Sequence, residues 1–204
     1  LPAADAAHAR AVLEAGVPDR GYALVLGLDP AAVALALGLV DQSRLQCVLA
    51  GRDAAACQRW REAIRRGGLP GARLTVLDLE GEALPCRPYL FNLVVAAEPG
   101  LTALPERLRV LRPCGGILLD ATPPDSAAAL PPGEALAVPP GSGLAFAFRR
   151  GALAGAGRWT HGYADPANTA CSGDAMPYGA FDLLWFGRPG PQYMYERHVK
   201  AAAP

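Results

Sequence analysis

Through the first 120 residues, short apolar runs alternate with longer helix-forming stretches, and this alternation constrains the fold more than any other property of the chain. The run at 22–27 (YALVLG) is apolar and β-branched, bounded by Gly21 and by Asp29-Pro30. Helix-forming Ala and Leu follow over 31–40, then a second strand-like run at 45–50 (LQCVLA) that stops at Gly51. Asp53 is placed to cap a helix running through Trp60 to Arg66 and ending at Gly67-Gly68. Residues 73–77 read as a third strand, 91–97 (FNLVVAA) as a fourth, 105–111 as a short helix, and 117–121 as a fifth strand after the Gly115-Gly116 turn. Strands this short, joined by helical connections, imply βαβ crossovers and so a parallel sheet with helices on both faces. The near-continuous apolar character of strands one and four fits strands buried on both sides.

The pattern changes after Ala121. Six prolines between Thr122 and Pro140 rule out a long crossover helix there. Residues 144–148 then offer one more apolar strand, expected to pair antiparallel with 135–138. From Gly151 the periodicity is lost, while two of the three tryptophans, two of the three histidines and four of the six tyrosines gather in the tail. The expected organisation is therefore an α/β domain over 1–150 and an irregular, Trp-rich extension over 151–204, too short to bury its own aromatics.

Composition narrows the functions. With 51% apolar residues the chain can bury a core, and 19 basic against 19 acidic residues leave no basic field to gather phosphates, so nucleic acid is not an expected partner. The apolar stretch at 22–40 is interrupted by Asp29 and Pro30, short of the ~20 continuous apolar residues that a membrane helix needs. Five cysteines (Cys47, Cys57, Cys86, Cys114 and Cys171) show no CxxC and no close His spacing, which disfavours zinc; they read as small buried thiols. The chain begins at Leu1, without an initiator Met or the pattern of a signal peptide, as a processed or excised piece would.

A parallel α/β sheet binds its ligands at the carboxyl ends of its strands, beside strand one. The loop there is Gly27-Leu28-Asp29-Pro30-Ala31, with a single glycine where close backbone approach to a nucleotide normally needs several. It reads either as an ordinary β-to-α turn, with Pro30 at the first helical position, or as a reduced nucleotide loop carrying Gly27 and Asp29. After strand two, Gly51 precedes Asp53, which stands about two residues beyond the place of a ribose-binding acid and serves equally well as a helix cap. After strand three, Asp78, Glu80, Gly81 and Glu82 offer carboxylates that reach toward an adenine amine or simply face water. After strand four, Glu98 is the only ionisable group placed to act as a base, in a Pro-Gly loop where a solvated role is the plainer reading. A nicotinamide site is disfavoured because no GxGxxG follows strand one.

These residues carry a resemblance. The stretch from about His8 to Ala121 resembles the class I S-adenosylmethionine-dependent methyltransferase domain, through the acidic Glu80-Gly81-Glu82-Ala83-Leu84-Pro85 segment and the Phe91-Asn92-Leu93-Val94-Val95 strand, with Asn92 where Asp is usual. The turn Leu108-Arg109-Val110-Leu111-Arg112-Pro113-Cys114-Gly115-Gly116 is similar to that family's "LRVLRPGG", with Cys114 in effect inserted. The resemblance implies a Rossmann-like three-layer sheet and S-adenosylmethionine as cofactor, held near Gly27, Asp29, Gly51, Asp53, Glu80 and Gly81, with Glu98 the candidate catalytic group and no metal. The glycine loop and the ribose acid that carry cofactor binding in the family are both degraded in this chain.

The tail bears a second resemblance. Trp159-Thr160-His161, then Tyr163-Ala164-Asp165-Pro166-Ala167-Asn168-Thr169, then Leu184-Trp185-Phe186-Gly187 looks like the first stretch of a quinoprotein-like (PQQ-type) β-propeller, which follows a methyltransferase-like domain in a group of large bacterial proteins. It implies a propeller module of a longer chain as partner, and an extracytoplasmic (periplasmic) setting in place of a cytoplasmic one. His161 is expected to pack with Trp159 or to hydrogen-bond a backbone carbonyl, and the group Tyr193, Tyr195, Glu196, Arg197 and His198 to pack at an interface. Two functions remain open: a degenerate, non-catalytic scaffold beside a propeller, or a working S-adenosylmethionine-dependent methyltransferase on a small molecule.

Overall fold

The chain was described as a computed structural model, covering residues 1–69, 71, 73–125 and 130–175. It divides into two compact units, Leu1–Ala152 and Leu153–Pro204.

The first unit is built on a seven-stranded sheet with order β3-β2-β1-β4-β5-β7-β6. Its strands are β1 (Arg20–Leu26), β2 (Arg44–Gly51), β3 (Leu74–Asp78), β4 (Leu93–Ala96), β5 (Ile117–Asp120), β6 (Gly133–Ala135) and β7 (Phe146–Arg150). The first five pair in parallel, and β7 runs antiparallel to both β5 and β6. The expected α/β architecture, Rossmann-like with an antiparallel last strand, is therefore the one observed. The order reverses between β1 and β4, which makes that edge the topological switch point of the sheet.

Helices α1 (Ala6–Glu14), α2 (Pro30–Gln42) and α3 (Ala54–Arg66) contribute to the core on one face of the sheet, and α4 (Leu104–Val110) to the core on the other. Each strand of the parallel half sends alternate residues to the two cores: Ala23 and Val25 to one, Leu24 and Leu26 to the other. α2 is apolar almost all round because it is covered twice, by the sheet and by α1. Gly38 permits that second cover, since a Cβ there would lie 2.5 Å from the Asp5 carbonyl oxygen and 2.8 Å from Ala9 Cβ. α1 has no counterpart among the elements expected from sequence, although its ends are marked. Asp5 caps it through the His8 N–H at 3.0 Å, and Gly16 follows at φ +96°.

Other differences are local. β6 lies at 133–135 instead of 135–138, and Phe91 makes an isolated bridge to Leu111 ahead of β4. Asn92, just ahead of β4, is buried; its Oδ1 accepts the Tyr22 N–H at 3.1 Å and so ties the start of β4 to β1. At the far edge Arg150, the last residue of β7, is buried, donates from Nη1 to the Leu108 and Leu111 carbonyls, and stacks over the Tyr89 ring at 5.0 Å. The expectation of five buried thiols needs correcting. Cys47 and Cys57 are buried and Cys86 is half-buried, but Cys114 and Cys171 are exposed because both lie in loops. Burial pushes the Cys47 thiol up to about 12.

The second unit is irregular over its described residues, 153–175. A bridge joins His161 to Ala164, and Asp165 organises the turn after it by accepting from the Ala167 and Thr169 N–H groups and the Thr169 hydroxyl, at 2.9, 3.2 and 2.6 Å. His161 is exposed, with Nδ1 2.9 Å from the Thr160 hydroxyl in place of a carbonyl partner. The Leu184–Gly187 and Tyr193–His198 segments fall outside the described residues.

Candidate functional site

Crossovers β1–α2–β2 and β2–α3–β3 leave the carboxyl ends of β1 and β2 side by side, so the loops after them meet beside the switch point between β1 and β4. Gly27 retains the conformation expected of a ligand-facing glycine, with φ +140°, and its N–H donates to Ala50 O at 2.9 Å. A Cβ at this position would come within 3.4 Å of Glu98 Cβ, so the stem of Glu98 stands over it. Both Ala97 and Glu98 donate their N–H to Leu26 O at 3.0 Å, which holds the loop after β4 against the end of β1.

The rest of the crevice is occupied by the chain itself. The Leu28 side chain lies on Gly51: a Cβ at 51 would sit 2.5 Å from Leu28 Cδ1. An acid at position 51, where a ribose-binding carboxylate belongs, has no room unless Leu28 moves. Leu28 is also pinned through its backbone, because Trp60 Nε1 on α3 donates to its carbonyl at 2.9 Å. Asp29 turns inward on its own helix and accepts from the Ala31 and Ala32 N–H groups at 2.8 and 3.1 Å. Those are the donors that a helix N-terminus offers to an anionic or polar ligand. Asp53 likewise caps α3, accepting from Ala56 N–H at 3.0 Å, and so takes the capping role of the two that its sequence position allowed.

Glu80, Gly81, Glu82 and Glu98 are exposed. The Gly81 carbonyl accepts from Arg52 Nη2 at 3.3 Å, which joins the loop after β3 to the loop after β2. Thus Gly27, Asp29, Gly51 and Glu98 come together at the crevice, while Asp53 serves α3 and Glu80 and Gly81 stay on the surface loop beyond β3. No group of three or more His, Cys, Asp or Glu capable of holding a metal occurs among the described residues.

Sequence reasoning missed a second cavity beside this crevice. It measures about 300 Å³ and is lined by Asp5, His8, Asp29, Val95 and Ser142, among others. His8 Nε2 is buried without a hydrogen-bond partner among the described residues, and burial lowers the imidazole pKa more than nearby Asp5 raises it. The only signal for it in the sequence was a lone histidine on a helix that was not foreseen.

No protein-family model and no curated sequence matches the chain. Solved structures do. A protein of Methanococcus maripaludis described as an S-adenosyl-L-methionine-dependent methyltransferase superposes with a TM-score of 0.56 at 14% identity, over 72% of this chain and 85% of its own. The fold is that of the class I methyltransferases. A protein from Corynebacterium glutamicum superposes with a TM-score of 0.50 at 17% identity, over 76% of this chain and 84% of its own. A Galdieria sulphuraria protein described as a sarcosine dimethylglycine methyltransferase is spanned over 43% of its length and 55% of this chain, at 22% identity and a TM-score of 0.47, too distant a likeness to argue from.

Proposed function

We propose that the first unit is a degenerate methyltransferase domain that does not use S-adenosylmethionine and acts as a scaffold beside a PQQ-type propeller module of a longer chain. The observation that carries this reading is the Leu28 side chain lying on Gly51, an apolar plug where a sugar would sit and a carboxylate would receive it. Asp29 adds to it by spending the α2 N-terminal donors on the chain's own carboxylate. As placed, these residues do not fit an adenosyl group, so no chemical step is routed through one. The propeller partner, and the extracytoplasmic setting that goes with it, rest on the tail's resemblance and on the exposure of Trp159 and Tyr163 in the second unit.

Calorimetric titration with S-adenosylhomocysteine tests the cofactor part of the proposal. Heat no larger than dilution is expected. Saturable binding in the micromolar range, about −8 kcal/mol, would overturn it.

A second reading, a working methyltransferase on a small molecule, is favoured by the cavity of about 300 Å³ at His8. An imidazole whose pKa burial lowers, with an Nε2 that has no partner among the described residues, could receive a proton from an acceptor held there. That reading requires the same titration to show binding.

A further inference from the structure

Two arginines are buried on the α4 side of the sheet, and they differ in what balances their charge. Arg107, 9% exposed, has a carboxylate: Asp120, at the end of β5, accepts from its Nη1. Arg150, 8% exposed, has none among the described residues. Its Nη1 donates to the Leu108 and Leu111 carbonyls, and the Tyr89 ring lies against its guanidinium. Nε and Nη2 have no partner among the described residues, and solvent reaches both. A guanidinium keeps its charge at any ordinary pH, and a buried charge without a counterion is costly.

Arg150 lines a cavity of about 430 Å³, a size suited to a small molecule. Pro105, Leu108, Leu130 and Pro131 give it an apolar wall, and Tyr89 and Arg109 complete it among the described residues. No carboxylate is in that wall. Arg109 is already engaged, through Nε and Nη2 with Glu106 at 2.8 and 2.6 Å and through Nη1 with the Cys86 carbonyl at 2.9 Å. One positive charge is left over, in apolar surroundings. Tyr89 is held over it at φ +63°, a conformation that costs stability for a bulky side chain, and its ring stays 41% exposed. The Arg150 N–H donates to Gly116 O, ahead of β5, so this arginine stands at the amino end of the parallel strands, away from Gly27, Gly51 and Glu98.

We propose that this cavity binds a small carboxylate with an apolar body, of which an aryl carboxylate is the simplest form. Its two oxygens accept from Arg150 Nε and Nη2, and its body lies on the proline and leucine wall beside Tyr89. A carboxylate matches the planar fork of a guanidinium and supplies the one negative charge that the wall lacks. A phosphate dianion brings more charge than a single unpaired arginine answers, and an apolar wall cannot replace its hydration. The site shares no residue with the Leu28 plug, so it stands or falls separately from the scaffold reading.

The test is calorimetry on the full chain at constant ionic strength, titrating benzoate, then acetate (the charge without the body) and benzyl alcohol (the body without the charge). Benzoate should bind saturably and about tenfold or more tighter than either, since each lacks one of the two contacts. Tyr89→Gly removes the ring at a position whose backbone conformation glycine adopts freely, so the fold is kept and benzoate should be held about five- to tenfold more weakly. Arg150→Gln retains a donor for the carbonyls and loses the charge; where circular dichroism shows it folded, the loss should exceed about tenfold. The proposal is overturned by no saturable benzoate binding, by acetate or benzyl alcohol binding as tightly as benzoate, or by benzoate binding that either folded variant leaves unchanged.

Discussion

Two neighbouring parts of the same sheet edge are built in opposite ways. Over β1 and β2 the chain has filled the space with its own groups: Leu28 covers Gly51, Trp60 holds Leu28, and Asp29 satisfies the first turn of α2. Among the loops after β2, β3, β4 and β5 it has left space, and Thr102 and Arg107 beside it keep buried donors without a partner among the described residues. A packed, satisfied surface contributes stability. An open one with orphaned donors sacrifices some. The difference separates a place that the chain has filled from one that it has left open.

The comparison can be broken most forcefully at Arg107. Arg107→Met strands the Asp120 carboxylate in the interior, and a loss of about 3–5 kcal/mol is expected in urea unfolding, the cost of leaving one partner of a buried pair alone; a change near zero would mean that the pair is not buried as described. Next comes the plug. Gly51→Asp should cost about 1–3 kcal/mol through overpacking against Leu28, and Leu28→Ala in the same chain should recover part of that loss. A double-mutant cycle measures the coupling, and strict additivity would show that the two residues do not touch. Asp29→Ala removes the α2 cap and should lower stability by about 1 kcal/mol, read as a shift in the denaturation midpoint.

The smallest effect is a pH dependence. Burial lowers the folded-state pKa of His8 below its ordinary value of 6.5, so the unfolded chain binds the proton more readily. Stability should therefore fall as pH drops through 6.5 and continue to fall until the folded imidazole itself is protonated. His8→Gln should flatten that segment of the stability-against-pH curve, and a segment left unchanged would place the dependence elsewhere.

The sheet was legible because its strands are short apolar runs closed by Gly, Asp and Pro, and because the turn at Arg112-Pro113-Cys114-Gly115-Gly116 announces β5. The helix over 6–14 was not, since its apolar face is small, with Ala9 and Val12 buried and Leu13 partly so, set among residues that suit any exposed segment. In the crevice, the missing glycines and the displaced acid could be read directly. The plug could not: nothing in Leu28 or Gly51 taken singly says that one rests on the other, for the contact exists only once β1 and β2 lie adjacent in register. The same holds for Thr102 and Arg107, whose lack of partners is a property of the packed molecule.

Arg150 has a practical bearing. One side chain at the end of β7 ties the last strand to the carbonyl end of α4 and to the loop bearing Tyr89, and Gly151 just after it still donates to Pro132 O and accepts from the Cys114 N–H. Anyone trimming the polypeptide to isolate the sheet should cut after Ala152 and not a few positions earlier, because a shorter piece would lose the rivet that fastens its outermost ribbon.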